Sequence, residues 1–346
     1  MFLTYVVSIA TALGLCALLV LSTGGSAGKV FSALLDGSLR SPGAWGITVT
    51  TAAPLLVVAI GTILAEKAGI TNIGQEGQVL MGAAGVAFVA SRLEAPGPVL
   101  IAVSLAVGIV VAGVWALLAS AMKFSRGVPE VISTLLLYFI AVQITNYCLT
   151  KRWLLASLST DSRVNNGQPL KHAARMPGIE LFGNTVSWGA VVAVIVTILV
   201  GLVLARTTIG FKLRMLGMNP RTARRAGVSA AMVGGGALVF SGALAGLAGG
   251  LWLTSGVPGD RFTAGVSSNL GWQGLLVALL ARQRAALVVP MAFVFAALRT
   301  GSQFLSATGV DRRIADVVQA MLVLALLVAP AIEMLQERRR DRPVAA

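Results

Sequence analysis

The sequence has few charged residues and almost none of the residues that build metal centres. Charged residues make up 12% of its 346 positions, against about 25% in a typical soluble domain. It has 1 histidine and 2 cysteines, and both Cys16 and Cys148 lie in apolar runs. It also lacks a GxxxxGK sequence followed by Ser or Thr, the loop that cradles nucleotide phosphates. These absences argue against a disulfide framework, a metal site and an enzyme.

Apolar sequence fills the chain instead. Hydrophobic residues make up 56% of it and the mean hydropathy is +0.86. Several uncharged runs reach the roughly 20 residues that cross a ~30 Å hydrocarbon core. Hydropathy places these runs near 2–21, 47–65, 78–92, 97–121, 130–150, 186–205, 230–253, 270–281, 285–305 and 314–334. We therefore predict an all-α integral membrane protein with about ten transmembrane helices.

The excess of positive charge follows a membrane pattern and not a nucleic-acid-binding patch. The net charge is +14, but the basic residues lie in short loops and in the tail at Arg338, Arg339, Arg340 and Arg342. Cytoplasmic loops of membrane proteins carry such an excess. We predict a bacterial cytoplasmic-membrane protein with both termini in the cytoplasm and no nucleic-acid partner. The run 2–21 lacks a basic leader, so it is predicted to be a first span and not a signal peptide.

Two segments of the sequence resemble each other and predict an internal repeat. Residues 68–77 read AGITNIGQEG and residues 264–274 read AGVSSNLGWQG. With one inserted serine, Asn72 matches Asn269, Gly74 matches Gly271, Glu76 matches Gln273 and Gly77 matches Gly274. A weaker match joins 127–140 to 309–324, and chance similarity is the alternative. Because the copies lie five predicted spans apart, they have opposite orientations, as in the inverted repeats of transporters.

This repeat divides the predicted single permease domain. Its parts are a first span and external interfacial segment (1–46), repeat A (47–150), an external loop with a linking span and a cytoplasmic loop (151–229), repeat B (230–334) and a cytoplasmic tail (335–346). Each repeat has four helices. In the first part, Val30, Phe31, Leu34 and Leu35 form an apolar stripe that predicts a helix lying in the membrane interface.

The repeated segments are also the predicted transport site. Glycines at 69, 74 and 77 precede or enter the third span, and Gly271 and Gly274 are expected to break the eighth. Short or glycine-interrupted spans at matching places in two halves point to a binding site, since unpaired backbone groups are tolerated in a membrane only beside a cavity or protein. The polar side chains suit a neutral solute with hydroxyl or amide groups. The predicted pathway residues are Asn72, Gln75, Glu76, Gln78, Asn269, Trp272 and Gln273. The alternative is that Glu76 pairs with Lys67 or caps a helix at the interface.

Residues 210–229, GFKLRMLGMNPRTARRAGVS, form a basic amphipathic loop between long spans. Asn219-Pro220 predicts the start of a new helical turn. By itself the loop is also compatible with an anchor on anionic lipid headgroups. Its RxxGxNPxxAxxxG pattern, however, resembles the coupling segment with which ATP-binding-cassette permeases contact their ATPase. The residues that carry this resemblance are Arg214, Gly217, Asn219, Pro220, Ala223 and Gly227, with Arg221 beside them.

The TNIGQEGQ segment is similar to the NIGxEGQ signature of one branch of these permeases, the nucleoside importers. That branch belongs to the superfamily of nucleoside and simple-sugar permeases. The members of this superfamily include ribose-type permeases and resemble branched-chain amino acid permeases. GVPEVISTLLLYFIA, 127–141, and GLLVALLARQRAALVV, 274–289, also resemble stretches of the branch, so the likeness covers residues 47–334. Pro129 stands where the family has histidine, Tyr138 where it has asparagine, and Ala281 and Ala286 near its usual glycine and proline. These departures concern the cargo more than the fold.

The resemblance implies a type II importer, built like the vitamin B12 and ribose importers, that carries nucleosides across the cytoplasmic membrane. Its implied partners are a second, related permease chain, an ATP-binding-cassette ATPase that holds the ATP and magnesium, an extracytoplasmic substrate-binding lipoprotein and membrane lipid. This chain would need no cofactor. The alternative cargoes are a simple sugar or riboflavin. An ion-coupled secondary transporter is a weaker alternative, because paired carboxylates within the spans are lacking.

Overall fold

The computed structural model describes residues 27–157 and 166–305, with the isolated positions Gly14, Val317 and Ala320. The predicted spans 2–21 and 314–334, the tail 335–346 and the weaker repeat match at 309–324 lie outside the described residues. Those predictions therefore remain predictions.

The described part of the chain is mostly helical. Its α-helices are α1 (Ala27–Leu35), α2 (Ala44–Lys67), α3 (Gln75–Arg92), α4 (Gly97–Arg126), α5 (Glu130–Cys148), α6 (Trp188–Arg206), α7 (Thr208–Met218), α8 (Pro220–Arg225), α9 (Ala230–Thr254), α10 (Leu270–Leu280) and α11 (Ala285–Leu305). A π-helical turn, Asp36–Arg40, follows α1. The predicted helix of the segment 23–46 is thus present as α1, whereas its place at a membrane interface stays a prediction.

Among the described residues, 6 helices are long and apolar enough to cross a membrane. They are α2, α4, α5, α6, α9 and the Ala285–Ser302 part of α11. Helix α10 has 11 residues, which at 1.5 Å each extend about 16 Å, or half of a hydrocarbon core. A multi-pass membrane protein is confirmed, while the count of ten spans stays a prediction.

Close backbone contacts join α3, α4 and α9 into one bundle. A Cβ atom placed on Gly242 of α9 would lie 2.3 Å from the Cβ of Ala116. One placed on Gly249 would lie 2.3 Å from the carbonyl oxygen of Val79. In lipid, helices associate through van der Waals packing of small residues, because apolar burial gives no advantage over lipid tails. The glycines of α9 are therefore what allows these three helices to meet.

The connections at the two ends of the helices differ in character. One end, here called the strand end, consists of residues 149–157, 166–187 and 255–266. Its strands are β1 (Asn166–Pro169), β2 (Gly178–Leu181), β3 (Asn184–Ser187) and β4 (Arg261–Thr263). Strand β1 pairs with β4 and β2 pairs with β3, both antiparallel. These strands were not expected in an all-α chain. They satisfy the backbone donors and acceptors of a long polar connection.

An acidic side chain at the strand end lies between two arginines. Asp260 accepts a hydrogen bond of 3.0 Å from Arg261, and Arg175 lies 3.6 Å from its other oxygen. The hydrogen bond from Arg261 holds the pKa of Asp260 below its usual range. The carboxylate therefore stays charged and ties the residues before α6 to those after α9.

The other end, here called the basic end, carries α7 and α8 and the turns after α2, α4 and α10.

The chain divides into two compact units, Val49–Phe293 and a unit of Met1–Thr48 with Val294–Ala346. In the second of these, a Cβ on Gly301 of α11 would lie 2.5 Å from the carbonyl oxygen of Leu34 in α1. All the candidate site residues lie in the unit Val49–Phe293.

Candidate functional site

Buried amides hold the segment between α2 and α3 in place. The side-chain nitrogen of Asn72 donates to Gln78 Oε1 at 2.8 Å and to Ser241 Oγ at 3.0 Å. Gln75 donates to the same Ser241 oxygen at 3.1 Å and accepts from Thr62 Oγ1 at 2.7 Å. The three amide side chains are at most 2% exposed. A buried polar network satisfied in this way fixes one arrangement of the helices that contribute to it.

Glu76 links the first turn of α3 to the first turn of α10. Its Oε1 accepts from Ser267 Oγ at 2.5 Å and from the Asn269 backbone N–H at 3.1 Å. Its Oε2 accepts from the Gly271 backbone N–H at 2.6 Å. The residue is 3% exposed. Since helix N-termini carry partial positive charge, one carboxylate stabilises the start of its own helix and the start of α10.

The glycines of the two segments are positions of close approach. A Cβ on Gly271 would lie 2.3 Å from the backbone nitrogen of Glu76, so the starts of α3 and α10 are in backbone contact. A Cβ on Gly74 would lie 2.5 Å from the carbonyl oxygen of Thr134, and one on Gly77 would lie 2.8 Å from the Cα of Tyr138. Each glycine is needed because the neighbouring backbone leaves no room for a side chain.

The expected break of the eighth span at Gly271 and Gly274 was wrong. Both glycines lie inside the continuous helix α10. The break comes before them, where Ser268 and Asn269 have φ angles of 45° and 66°. Gly274 is required for packing, because a Cβ there would lie 2.4 Å from Val58 Cγ1. Sequence alone does not distinguish a glycine that allows close packing from one that ends a helix.

The remaining predicted pathway residues, at the start of α10, are more exposed than the four buried ones. Asn269 is exposed, and Trp272 and Gln273 are half-buried. The side chain of Asn269 makes no capping hydrogen bond to α10. The ring of Trp272 meets the ring of Tyr138 on α5 edge-to-face, with centroids 5.7 Å apart. The structure thus separates four buried residues (Asn72, Gln75, Glu76 and Gln78) from three that are exposed or half-buried.

The hydroxyl groups that bond the buried amides and Glu76 were not among the predicted site residues. Thr62 and Ser241 lie within apolar helices that show no motif, and Ser267 lies in the loop before α10. Single hydroxyls in an apolar helix more often bond the preceding turn of the backbone. Of the three, Ser267 had a detectable signal, because it belongs to the serine pair that interrupts the match between the repeated segments.

At the basic end, Asn219 joins α7 to α8. It ends α7 and its Oδ1 accepts from the backbone N–H groups of Arg221 and Thr222 at 3.0 and 3.1 Å. Pro220 follows in the first turn of α8, where a missing N–H costs nothing. The predicted helix start at Asn219-Pro220 is therefore confirmed. Ala223 is buried, and Gly227 has a φ of 79° just beyond α8.

Helix α7 touches the end of α2. A Cβ on Gly217 would lie 2.5 Å from the carbonyl oxygen of Lys67 and 3.0 Å from the nitrogen of Gly69. The guanidinium of Arg214 donates to the carbonyl of Leu204 in the last turns of α6. Gly69 leads directly into the segment of Asn72, so α7 contacts the residues just before that segment.

Comparison with known proteins identifies the family. Residues 46–327 match the family described as "Branched-chain amino acid transport system / permease component". The chain is 28% identical over 342 residues to the guanosine ABC transporter permease protein NupP of Bacillus subtilis, covering 96% of each chain. It is 26% identical over 307 residues to the nucleoside ABC transporter permease protein NupB of Lactococcus lactis, covering 87% of this chain and 84% of the relative.

A third relative is the glucose ABC transporter permease protein TsgB13 of Haloferax volcanii. It is 30% identical over 292 residues, which cover 82% of this chain and 76% of the relative. The resemblance read from the NIGQEG and Asn-Pro segments is thus confirmed. The chain belongs to the permease family of branched-chain amino acid transport systems, and it is the membrane subunit of an ATP-binding-cassette importer and not an enzyme.

Proposed function

We propose that the cargo of this importer is a nucleoside. Two relatives that cover most of the chain are named as guanosine and nucleoside permeases. The observation that carries the proposal is the polar and aromatic start of α10, where Asn269 is exposed and Trp272 and Gln273 are half-buried. Amide and aromatic groups together suit a solute with hydroxyls and a planar ring. A glucose-type cargo is the second candidate, because one relative is named as a glucose permease.

In this proposal, the chain has ten spans arranged as two inverted four-helix repeats. The backbone contact between the starts of α3 and α10 supports that architecture, because matching half-helices of inverted repeats meet near the middle of the membrane. From that contact, α3 extends to Arg92 at the strand end, which bonds the Arg152 carbonyl. Helix α10 extends the opposite way and ends at Leu280, three residues before Gln283, which bonds Glu66 at the basic end.

The basic end is cytoplasmic in this proposal. The described basic residues there are Lys67, Lys123, Arg126, Arg206, Lys212, Arg214, Arg221, Arg224, Arg225, Arg282 and Arg284, which fits the excess of positive charge in cytoplasmic loops. The strand end then faces a substrate-binding lipoprotein outside the cell. A second, related permease chain completes the pathway.

The predicted pathway residues have two roles. Asn72, Gln75, Glu76 and Gln78 form the supporting wall, since their polar atoms are engaged with other parts of the chain. Asn269, Trp272 and Gln273 face the solute. Helices α7 and α8 contact the ATPase, and their movement reaches the wall through the contact of Gly217 with the end of α2.

Deleting this chain tests the proposed cargo. In cells that lack other nucleoside carriers and contain the complete transporter, we expect uptake of labelled guanosine or uridine to fall to the background level on deletion. Uptake of labelled glucose in the same cells should not depend on the chain. Unchanged nucleoside uptake after deletion, or a chain-dependent uptake of glucose alone, would refute the nucleoside assignment.

Reversing two charges on α8 tests the contact with the ATPase. Arg221 and Arg225 are exposed and lie one helical turn apart, on the side of α8 opposite the buried Ala223. The double change Arg221→Glu and Arg225→Glu is expected to abolish both co-purification of the ATPase and uptake. The matched control is Lys151→Glu with Arg152→Glu at the strand end, which should leave co-purification unchanged. Equal recovery of the ATPase with both double variants would contradict the assignment of α8.

A further inference from the structure

Aromatic rings form a row beside the start of α10. Trp272 of α10 and Tyr138 of α5 meet with centroids 5.7 Å apart and ring planes at 83°. Tyr138 also contacts Phe139, with centroids 5.0 Å apart. Tyr138 and Trp272 are half-buried, and Phe139 is exposed. The rings therefore pack against one another while part of each aromatic surface remains accessible.

Amide groups lie next to this row. Asn269 directly precedes α10, and its backbone carbonyl accepts the Gln273 N–H at 2.9 Å, so the two residues are neighbours at the start of the helix. Trp272 lies between them in sequence. Along α5, an open and largely apolar depression is lined by Phe139, Ile140, Gln143, Ile144 and Tyr147. Gln143 is exposed there, more than one helical turn inside a helix apolar enough to span the membrane.

We propose that Tyr138 and Trp272 select the cargo by stacking on its planar base, with the amides of Asn269 and Gln273 toward the polar edge of that base. This inference rests on the proposed function and names the residues that recognise the base. Stacking on aromatic side chains contributes roughly 1–3 kcal/mol per base. Side-chain amides can form paired hydrogen bonds with base edges. A simple sugar has no π-face and can contact these rings only through its C–H groups, so π-stacking distinguishes a base from a sugar.

The competing explanation is that the two rings only fill space between α5 and α10. The backbone of Tyr138 is in close contact with Gly77, so its side chain also stands at a packed position. Substitutions that keep the apolar bulk but remove the π-face separate the two explanations. Leucine is close to phenylalanine in apolar volume but lacks the ring, so each leucine variant is compared with the phenylalanine variant of the same residue.

The test compares Tyr138→Leu and Trp272→Leu with Tyr138→Phe and Trp272→Phe in cells that contain the complete transporter. We expect each leucine variant to lower the initial rate of labelled guanosine uptake at subsaturating concentration by roughly tenfold, as expected for a lost stacking contact. Each phenylalanine variant should stay within about twofold of the unmodified chain. Trp188→Leu, at the exposed start of α6, controls for removal of an aromatic ring elsewhere and should transport normally. The amount of each variant in the membrane is measured by immunoblot.

The outcomes separate this inference from the proposed function. Normal guanosine uptake by both leucine variants would overturn the inference and leave the nucleoside cargo standing. Equal losses in the leucine and phenylalanine variants would also overturn it, since aromatic character would then be irrelevant. Transport of a sugar but no nucleoside by the unmodified complex would overturn both. A loss confined to the leucine variants, with membrane amounts unchanged, supports stacking.

Discussion

Glu76→Ala is expected to abolish solute uptake and to destabilise the permease. The change leaves Ser267 Oγ and the N–H groups of Asn269 and Gly271 without their carboxylate partner. Each buried donor left unsatisfied costs roughly 1–3 kcal/mol, and the first turns of α3 and α10 also lose a stabilising negative charge. Uptake assays and the melting temperature of the detergent-solubilised complex measure the two effects.

A graded series sharpens this test. Ser267→Ala removes one of these hydrogen bonds and should have a smaller effect than Glu76→Ala. Glu76→Gln keeps an acceptor oxygen but places an NH₂ group near backbone donors, so it should fall between the two. The control is Glu94→Ala, because the side chain of Glu94 is 93% exposed and its ion pair with Lys171 is at the surface. Such pairs contribute little. Normal uptake and stability of Glu76→Ala would contradict the role given to this carboxylate.

Gly246→Leu is expected to prevent assembly of the central helix bundle. A Cβ at this position would lie 2.4 Å from both the Cβ of Ala112 and the carbonyl oxygen of Gly108. Helix α9 would have to move away from α4, which would also separate Gly242 and Gly249 from their neighbours. We expect little folded protein after extraction, measured by fluorescence-detected size-exclusion chromatography, and no uptake.

Gly236→Leu is the matched control in the same helix. Nothing lies within 4 Å of a Cβ placed there, and leucine favours a helix over glycine by nearly 1 kcal/mol. This variant should elute as a single peak at normal yield. If Gly246→Leu behaved in the same way, close packing of α9 on α4 would not be required for the fold.

The predictions for Glu76 and Gly246 concern two connected parts of the same helix packing. Glycine contacts let α9 approach α3 and α4, and this approach brings Ser241 to the amides of Asn72 and Gln75. The network then fixes the segment that ends in Glu76, whose carboxylate holds α10. Transport requires at least two arrangements of such elements. Within the proposed function, the contacts between α3 and α10 are the ones that we expect to rearrange.

The sequence by itself determined the features that depend on local chemistry. Hydropathy identified the membrane class and located α2 to α6 and α9 to within a few residues, because each long apolar run must cover the hydrocarbon core by itself. The helix start at Asn219-Pro220 was predictable because a cap involves neighbouring residues. The NIGQEG and Asn-Pro segments indicated the family, and the match of residues 46–327 to that family confirms it.

Only the tertiary structure decided the partners of the polar residues and the roles of the glycines. Glu76 bonds Ser267, 191 residues away, and Asn72 bonds Ser241, 169 residues away, and no local pattern specifies such pairs. For the same reason, the sequence does not show that Gly271 lets the backbone of α3 touch α10 or that Gly274 makes room for the Val58 side chain of α2. The contact of Trp272 with Tyr138 also depends on how α5 and α10 pack. Capping and hydropathy act within a few residues of chain, whereas packing joins residues that only the fold brings together.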